Sequence, residues 1–198
     1  MIGVHVTGLD AAIHGTVAVS RKINRAIEFG TMNAAQDLRK EIIQGINKQA
    51  PGGKKFKPLS PMTLAIRKAQ GFGGKKVLLR SGFMRGSINV KRGADRASAF
   101  VGIARTARTK KGEKLVNIAA VHEFGFKKPK VIKVTQKMRN FFMALYLGGF
   151  TKGPLKQSKR QIVLNVPARP FLRPAQEVWA KTAQKKFRQR MSRKMFGM

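Results

Sequence analysis

A helical apolar pattern that extends from Leu9 to Lys48 is the feature that most constrains how this chain folds. Apolar side chains recur at spacings near three and four along it, whereas basic side chains mostly lie off that stripe. The residues that define the stripe are Ile23, Ile27, Ala34, Leu38, Ile42 and Ile46. A continuous helix of this length extends roughly 55–60 Å at 1.5 Å per residue. We therefore expect a neighbour to cover its outer stretch.

Local signals predict where this helix begins and ends and mark two weak points within it. Asp10 is the predicted N-cap, and residues 50–53, which read Ala-Pro-Gly-Gly, are predicted to stop the helix. Gly15 and Gly30 are positions at which the helix could bend or divide, because glycine is a poor helix former.

The rest of the chain predicts short helices and strands in mixed order. Predicted strands cover residues 2–7, 88–92, 97–103, 131–134 and 162–166, and predicted helices cover residues 60–68, 138–147 and 175–196. Residues 77–85 predict a short amphipathic segment, residues 104–114 a mobile loop, and residues 116–124 a helix or a strand. We therefore predict an α+β fold, in which a small antiparallel sheet lies beside the long first helix and the basic last helix. No repeat and no second boundary is visible, which indicates one domain over residues 1–198.

The charge of the chain restricts its partners. There are 42 Lys and Arg residues against 8 Asp and Glu, which gives a net charge of +34. Residues 1–50 are nearly neutral, with 6 basic and 4 acidic groups, so the positive field comes from the residues that follow. The expected partners are polyanions, namely nucleic acid, a membrane surface or an acidic protein face. Self-repulsion disfavours a compact free monomer at this charge unless counter-ions or a partner offset it.

Nothing in the sequence predicts a membrane span or a secretion signal. The longest apolar run, residues 141–150, is about half of what a spanning helix needs. The first residues lack the basic region and continuous apolar stretch of a signal peptide. There is no cysteine, which excludes disulfides and thiolate metal sites. We expect a soluble protein without a membrane partner.

Catalytic and cofactor-binding patterns are also missing from the sequence. Residues 71–76 contain glycines and lysines but lack the spacing of a phosphate-binding loop. His122 and Glu123 lack the second histidine of a zinc-protease helix. Metal-dependent nucleases usually gather several carboxylates. Here the carboxylates are scattered singly, at Asp95, Glu113, Glu123 and Glu177. The prediction is a protein that is not an enzyme and has no metal site and no cofactor.

The aromatic residues argue against base-specific recognition of nucleic acid. Proteins that read single strands place aromatic side chains among basic ones to stack the bases. Here the Phe residues lie mostly in apolar patterns, and the single tyrosine, Tyr146, lies inside an apolar run. Contact with the backbone of duplex DNA stays open, because it needs only Lys and Arg.

Four short motifs follow one another along the chain. They read Phe-Lys-Pro-Leu-Ser at residues 56–60, Leu-Arg-Ser-Gly at residues 79–82, Ala-Val-His-Glu-Phe-Gly at residues 120–125 and Val-Pro-Ala-Arg-Pro-Phe-Leu at residues 166–172. The first is followed by Thr63 and Arg67, and the second by Ser87 and Ile88. In this order and spacing the motifs resemble those of the virion-morphogenesis, or tail-completion, proteins of tailed bacteriophages and of a related group of phage neck proteins.

Each motif also has a physical interpretation that needs no family. Gly82 and Gly125 end short elements, where a positive φ or a close approach suits glycine. Arg169 lies in a segment stiffened by prolines and could reach a backbone carbonyl or a carboxylate of another subunit. The residues predicted to serve the fold or a subunit contact are Phe56, Pro58, Leu59, Arg80, Gly82, His122, Glu123, Gly125, Pro167, Arg169, Pro170 and Phe171.

The resemblance implies a structural virion protein that assembles rather than catalyses. It would form a homo-oligomeric ring, with six subunits to match a tail tube, at the neck or tail end of the virion. There it would complete the tail or join it to the head, in contact with other neck and tail proteins, after assembly in the host cytoplasm. Residues 127–161 depart from the family's pattern and are interpreted as an insertion.

The basic loops are the predicted contacts with genomic DNA or with acidic neighbouring rings. Their residues are Lys54, Lys55, Lys57, Arg105, Arg108, Lys110, Lys111, Lys127, Lys128 and Lys130. The alternative hypothesis is a free basic nucleic-acid-binding protein, either ribosome-associated or genome-compacting. Such a protein binds duplex with a steep salt dependence and needs no other virion protein.

Overall fold

The computed structural model describes residues 9–95, 97–109, 111–153 and 160–197, and for residues 9–14 the backbone alone. The strand predicted over residues 2–7 and the candidate contact residue Lys110 lie outside the described residues.

The first helix, α1, spans Leu9–Lys48 without a break, as its apolar period predicts. Asp10 lies inside the helix, since Leu9 is already helical, so its prediction as N-cap is wrong. Gly30 does not divide α1. A Cβ atom at this position would lie 2.8 Å from the ring of Phe187, so the glycine allows the last helix to pack closely there. After α1 the chain turns through a 3₁₀ segment, Pro51–Gly53, as the Ala-Pro-Gly-Gly sequence predicts.

The last helix, α6, spans Arg173–Phe196 and packs along α1. Its apolar residues recur every four positions, which directs Trp179, Ala183 and Phe187 towards the long helix. The Trp179 indole N–H donates to the carbonyl of Ala34 at 3.1 Å, and the Arg190 guanidinium pairs with Asp37 at 2.7 Å. The prediction of a basic last helix beside the first is therefore confirmed.

Four short helices lie between α1 and α6 in the described residues. They are α2 (Pro61–Ala69), α3 (Phe83–Gly86), α4 (Leu115–Phe124) and α5 (Gln136–Leu147). The Ser60 hydroxyl caps α2 by accepting from the Thr63 amide, as the Ser-Pro start predicts. Of the amphipathic segment predicted over residues 77–85, only the end is helical, because Leu78 and Gly82 have positive φ values of 63° and 70°.

The strands form two separate antiparallel ribbons rather than the one small sheet expected from the sequence. Strand β1 (Ile88–Arg92) pairs with β2 (Ala99–Ile103), and strand β3 (Lys130–Lys133) pairs with β4 (Gln161–Leu164). In the described residues neither ribbon extends the other. The α+β class is confirmed, and the difference is that the strands form two small sheets instead of one.

The hydrophobic core lies where the second half of α1 meets the first ribbon, α4 and the beginning of α6. Its fully buried members include Ile42 and Ile46 of α1, Ile88 of β1, and Phe171 and Ala175. Phe171 is the largest of these side chains. In the part of the chain that the structure describes, no helix is both long enough and apolar enough to span a membrane.

Candidate functional site

The segment over residues 166–172, the fourth motif, contacts both the first and the third motif. The Arg169 side chain is 6% exposed, and its Nε and Nη2 atoms donate to the carbonyls of Lys57 and Pro58, each at 2.8 Å. The Arg169 amide donates to the carbonyl of His122 at 2.7 Å. Arg169 thus links the first, third and fourth motifs, and its bonds are to backbone carbonyls of its own chain.

Glu123 holds the beginning of α6 from a different helix. Its Oε2 accepts from the amides of Phe171 and Leu172 at 2.8 and 3.1 Å, and its Oε1 accepts from the amide of Arg173 at 3.0 Å. The first amides of a helix have no partner within it, and the partial positive charge there favours a carboxylate. Leu172, at the N-cap of α6, provides no side-chain cap. Glu123 therefore supplies the cap that the local sequence lacks.

Gly125 allows the third and fourth motifs to come into contact. It ends α4 with φ 72° and ψ −175°, a conformation available almost only to glycine. A Cβ atom at this position would lie 2.7 Å from the amide nitrogen of Ala168. Next to it, the Phe126 amide donates to the carbonyl of Val166 at 3.0 Å.

We expect Gly125→Ala to lower the free energy of unfolding by roughly 2 kcal/mol, from backbone strain and from the contact with residue 168. Gly149→Ala is the matched control, because Gly149 also has a positive φ, 70°, but has no heavy atom within 4 Å of the position of a Cβ. Chemical denaturation of both variants measures the difference. If the two variants lost equal free energy of unfolding, the close approach of Gly125 to Ala168 would not explain the effect of the substitution.

The second motif contributes Arg80 and Gly82. Gly82 precedes α3 with a φ of 70°. Arg80 is exposed, and its guanidinium carbon lies 4.4 Å from the centre of the Phe72 ring. The Phe72 amide donates to the carbonyl of Arg67 at 2.9 Å, and the Arg67 Nη1 donates to the carbonyl of Lys76 at 2.8 Å. These contacts place Arg67, which follows the first motif, beside Arg80, which lies within the second motif.

Arg67 interacts electrostatically with Arg80, His122 and Arg169, and we refer to these four side chains as the cationic cluster. Burial lowers the pKa of Arg67, and the positive charges of Arg80 and Arg169 lower it further. Burial also lowers the pKa of Arg169. The pKa of His122 is lowered by burial and then by Arg169 and Arg67. The Nδ1 atom of His122 is buried and has no hydrogen-bond partner among the residues that the structure describes.

The lowered pKa of His122 predicts a loss of stability in mild acid. The unfolded chain binds a proton at this residue near pH 6.5, whereas the folded chain binds it only at lower pH. The contribution of neutral His122 to the free energy of unfolding is therefore complete above pH 6.5 and decreases as the pH falls below that value. Unfolding measured from pH 7.5 to 5 is expected to show this decrease in the native chain and a flatter dependence in His122→Asn. Parallel profiles for the two proteins would contradict it.

The predicted contact residues of the basic loops lie at the surface wherever the structure describes them. Lys54, Lys55 and Lys57 lie between α1 and α2, Arg105, Arg108 and Lys111 lie between β2 and α4, and Lys127, Lys128 and Lys130 lie at the start of the second ribbon. Arg108 Nη1 donates to the carbonyl of Gly112 at 3.0 Å, and an antiparallel bridge joins Arg108 to Lys114. The predicted mobile loop over residues 104–114 therefore contains ordered turns in its described part.

The outer face of α6 is a basic surface that was not among the contacts predicted from the sequence. Its exposed residues include Lys181, Lys185, Lys186 and Arg188. The four-residue apolar step of this helix could have identified the face, because it fixes which side packs against α1. In the described residues no three His, Asp or Glu side chains group so as to hold a metal ion.

Comparison with known proteins gives one match. The model of a family described as the phage virion morphogenesis family matches residues 17–185, which include all four motifs and both ribbons. Neither a curated protein nor a solved structure matches the chain.

Proposed function

Because the chain belongs to the phage virion morphogenesis family, we propose that it is a structural protein that forms a ring at the neck or tail end of a tailed phage. The ring would complete the tail or join it to the head. The observation that carries the proposal is the family match over most of the chain. The motifs serve this role by fixing α6 and the preceding segment to the rest of the fold.

The surface area of the chain supports assembly with other subunits. The chain exposes 14650 Å², whereas a compact monomer of 21.9 kDa would expose roughly 9,300 Å² by the usual scaling with mass. Proteins that expose this much additional surface commonly bury part of it against partners. A homo-oligomeric ring, with six subunits to match a tail tube, is the arrangement that we propose.

The outer stretch of α1 is one surface available for such contacts. Residues 15–22 are all exposed, and Val17 and Val19 are exposed to 42% and 56%. The sequence predicts a neighbour for this stretch, and its residues stay exposed in the described part of the chain. A second subunit or another virion protein would cover it.

Positive charge supports contact with acidic partners. The exposed loop residues and the outer face of α6 present Lys and Arg side chains to a partner, while in the described residues Glu28 pairs with Arg92 and Asp37 with Arg190. The acidic partners that we expect in the virion are other neck and tail proteins and the genomic DNA that passes through the ring. Contact with DNA would be non-specific, because it would use the phosphate backbone.

Electron microscopy of lysates from a phage that lacks this gene tests the proposal. We expect filled heads together with unattached or over-length tails, and a length defect would identify tail completion rather than joining. Complementation with a variant in which Lys127, Lys128 and Lys130 are replaced by Glu tests the loop contacts, with the native gene as control. Unaltered infectious particles in the absence of the gene would contradict the proposal.

A free nucleic-acid-binding protein is the second candidate, and the exposed basic face of α6 favours it. Such a protein binds duplex DNA alone, and its affinity falls steeply as salt rises. Its absence from purified particles would support this candidate over the ring.

A further inference from the structure

Three of the four motifs contribute a basic side chain to the cationic cluster, and the remaining member lies shortly after the first motif. Arg67 follows the first motif, Arg80 lies in the second, His122 in the third and Arg169 in the fourth. Since these residues are spread over about half of the sequence, only the fold brings them together. Burial of like charges raises the free energy of the folded chain unless an anion compensates them.

Four carboxylates of the described residues have partners other than the side chains of the cluster. Glu123, the neighbour of His122, uses both oxygens to accept amides at the start of α6. Glu28 and Asp37 pair with arginines elsewhere, and Asp95 accepts from Ser98. The hydrogen bonds of Arg67 and Arg169 go to backbone carbonyls, which carry no full negative charge.

We propose that the cationic cluster is a binding site for a carboxylate side chain of an acidic partner protein. A carboxylate accepts two hydrogen bonds from a guanidinium in a planar arrangement, and a second guanidinium nearby strengthens the interaction. Arg80 is the exposed member that meets the carboxylate first. Arg67 is half-buried, and Arg169 is held in place by its hydrogen bonds to the carbonyls of Lys57 and Pro58.

The surroundings favour a protein carboxylate over a nucleic-acid phosphate. Arg80 lies over the Phe72 ring, and exposed phenylalanines follow two of the cluster residues closely in sequence, namely Phe83 at 42% and Phe124 at 65% exposure. Arginine and exposed aromatic side chains together are typical of the centre of a protein–protein interface. A duplex backbone would instead be expected to follow the exposed lysines of α6 and the loops.

Charge also favours a different protein over a second copy of the chain. Each copy carries +34, and Glu123, which follows His122 in sequence, already accepts three amides. An acidic segment of another protein supplies the missing negative charge without added repulsion. The identification of this partner as a virion protein rests on the proposed function, whereas the carboxylate site itself does not. A test with purified protein therefore distinguishes a failure of the site from a failure of the proposed function.

The pKa of His122 provides a direct test, because the chain contains only three histidines. NMR titration of the imidazole signals, with His122→Asn to assign them, follows this pKa with and without a hexaglutamate peptide at moderate salt. We expect the peptide to raise the pKa of His122 by about 1, since a nearby negative charge favours the imidazolium. A 20-base-pair duplex is expected to leave it unchanged.

Variants distinguish the cluster from the general positive charge. Arg80→Gln is expected to abolish the rise, and Lys181→Gln, which removes one charge from the outer face of α6, is expected to retain it. Arg67→Gln is a second cluster variant, with its fold checked by the thermal unfolding transition. An unchanged His122 pKa in the native protein, equal behaviour of Arg80→Gln and Lys181→Gln, or a rise caused by the duplex would each overturn the proposal.

Discussion

Replacement of Phe171 by Ala is expected to lower the free energy of unfolding by about 4 kcal/mol, in the range measured for large-to-small changes at buried aromatic positions. Phe171 is fully buried in the cluster of core residues that includes Ile42, Ile46 and Ala175. Its removal would leave a cavity between α1 and α6 that close-packed neighbours fill only in part. The loss should appear as a lower midpoint of chemical denaturation, followed by the fluorescence of Trp179, the only tryptophan in the chain.

Phe196→Ala is the matched control for this change. Phe196 is 67% exposed at the end of α6, so the same truncation is expected to change stability by less than about 0.5 kcal/mol. Phe171→Leu keeps most of the apolar volume and should fall between the two. If Phe171→Ala and Phe196→Ala were equally stable, Phe171 would not be the residue that anchors the fourth motif in the core.

Replacement of Glu123 by Ala is expected to lower the free energy of unfolding by about 3 kcal/mol, because three amide hydrogen bonds to a charged acceptor are lost together. The amides of Phe171, Leu172 and Arg173 would have to find water or remain without a partner. Hydrogen exchange should show the first turn of α6 opening more often than in the native chain. Denaturant unfolding gives the magnitude.

Glu177→Ala controls for the change in net charge that accompanies the loss of Glu123. Glu177 lies exposed on α6, beyond the first turn, so its removal makes the same change in charge without removing a cap. Glu123→Gln keeps one acceptor oxygen and should lose less than Glu123→Ala. A similar loss in the two Ala variants would show that charge, rather than capping, explains the effect.

The long helices were predictable because their patterns are long and regular. The apolar stripe of α1 and the four-residue step of α6 each extend over several turns, so that local variation does not obscure the period. The caps and stops near Ser60 and Pro51 were also predictable, because they depend on neighbouring residues only.

The hairpin of β1 and β2 was predictable from the turn sequence Gly-Ala-Asp-Arg at residues 93–96, whereas the pairing of β3 with β4 was not. Alternation identifies a strand and the faces of its side chains but does not identify its partner. The register that sets Ile88 opposite Ile103 follows from a short turn, whereas β3 and β4 meet across the intervening α5. The structure therefore has two separate ribbons where the sequence predicted a single sheet.

The organisation of the candidate site depends on contacts between residues distant in sequence. The motif residues were selected from the sequence, yet the cap that Glu123 supplies to a helix beginning at Arg173 has no local signal. Likewise the bonds of Arg169 to the carbonyls before α2 cross more than half of the chain. Only the folded chain shows that Arg67 interacts electrostatically with Arg80, His122 and Arg169.

The number of copies of this protein in purified phage particles is the measurement that tests the central claim most directly. Quantitative mass spectrometry against a major tail protein of known copy number would provide it. We predict a small, fixed number per particle, with six as the expected value for a ring that matches a tail tube. Absence from purified particles, or a copy number that follows the amount of packaged DNA, would contradict a structural role at the neck or tail end.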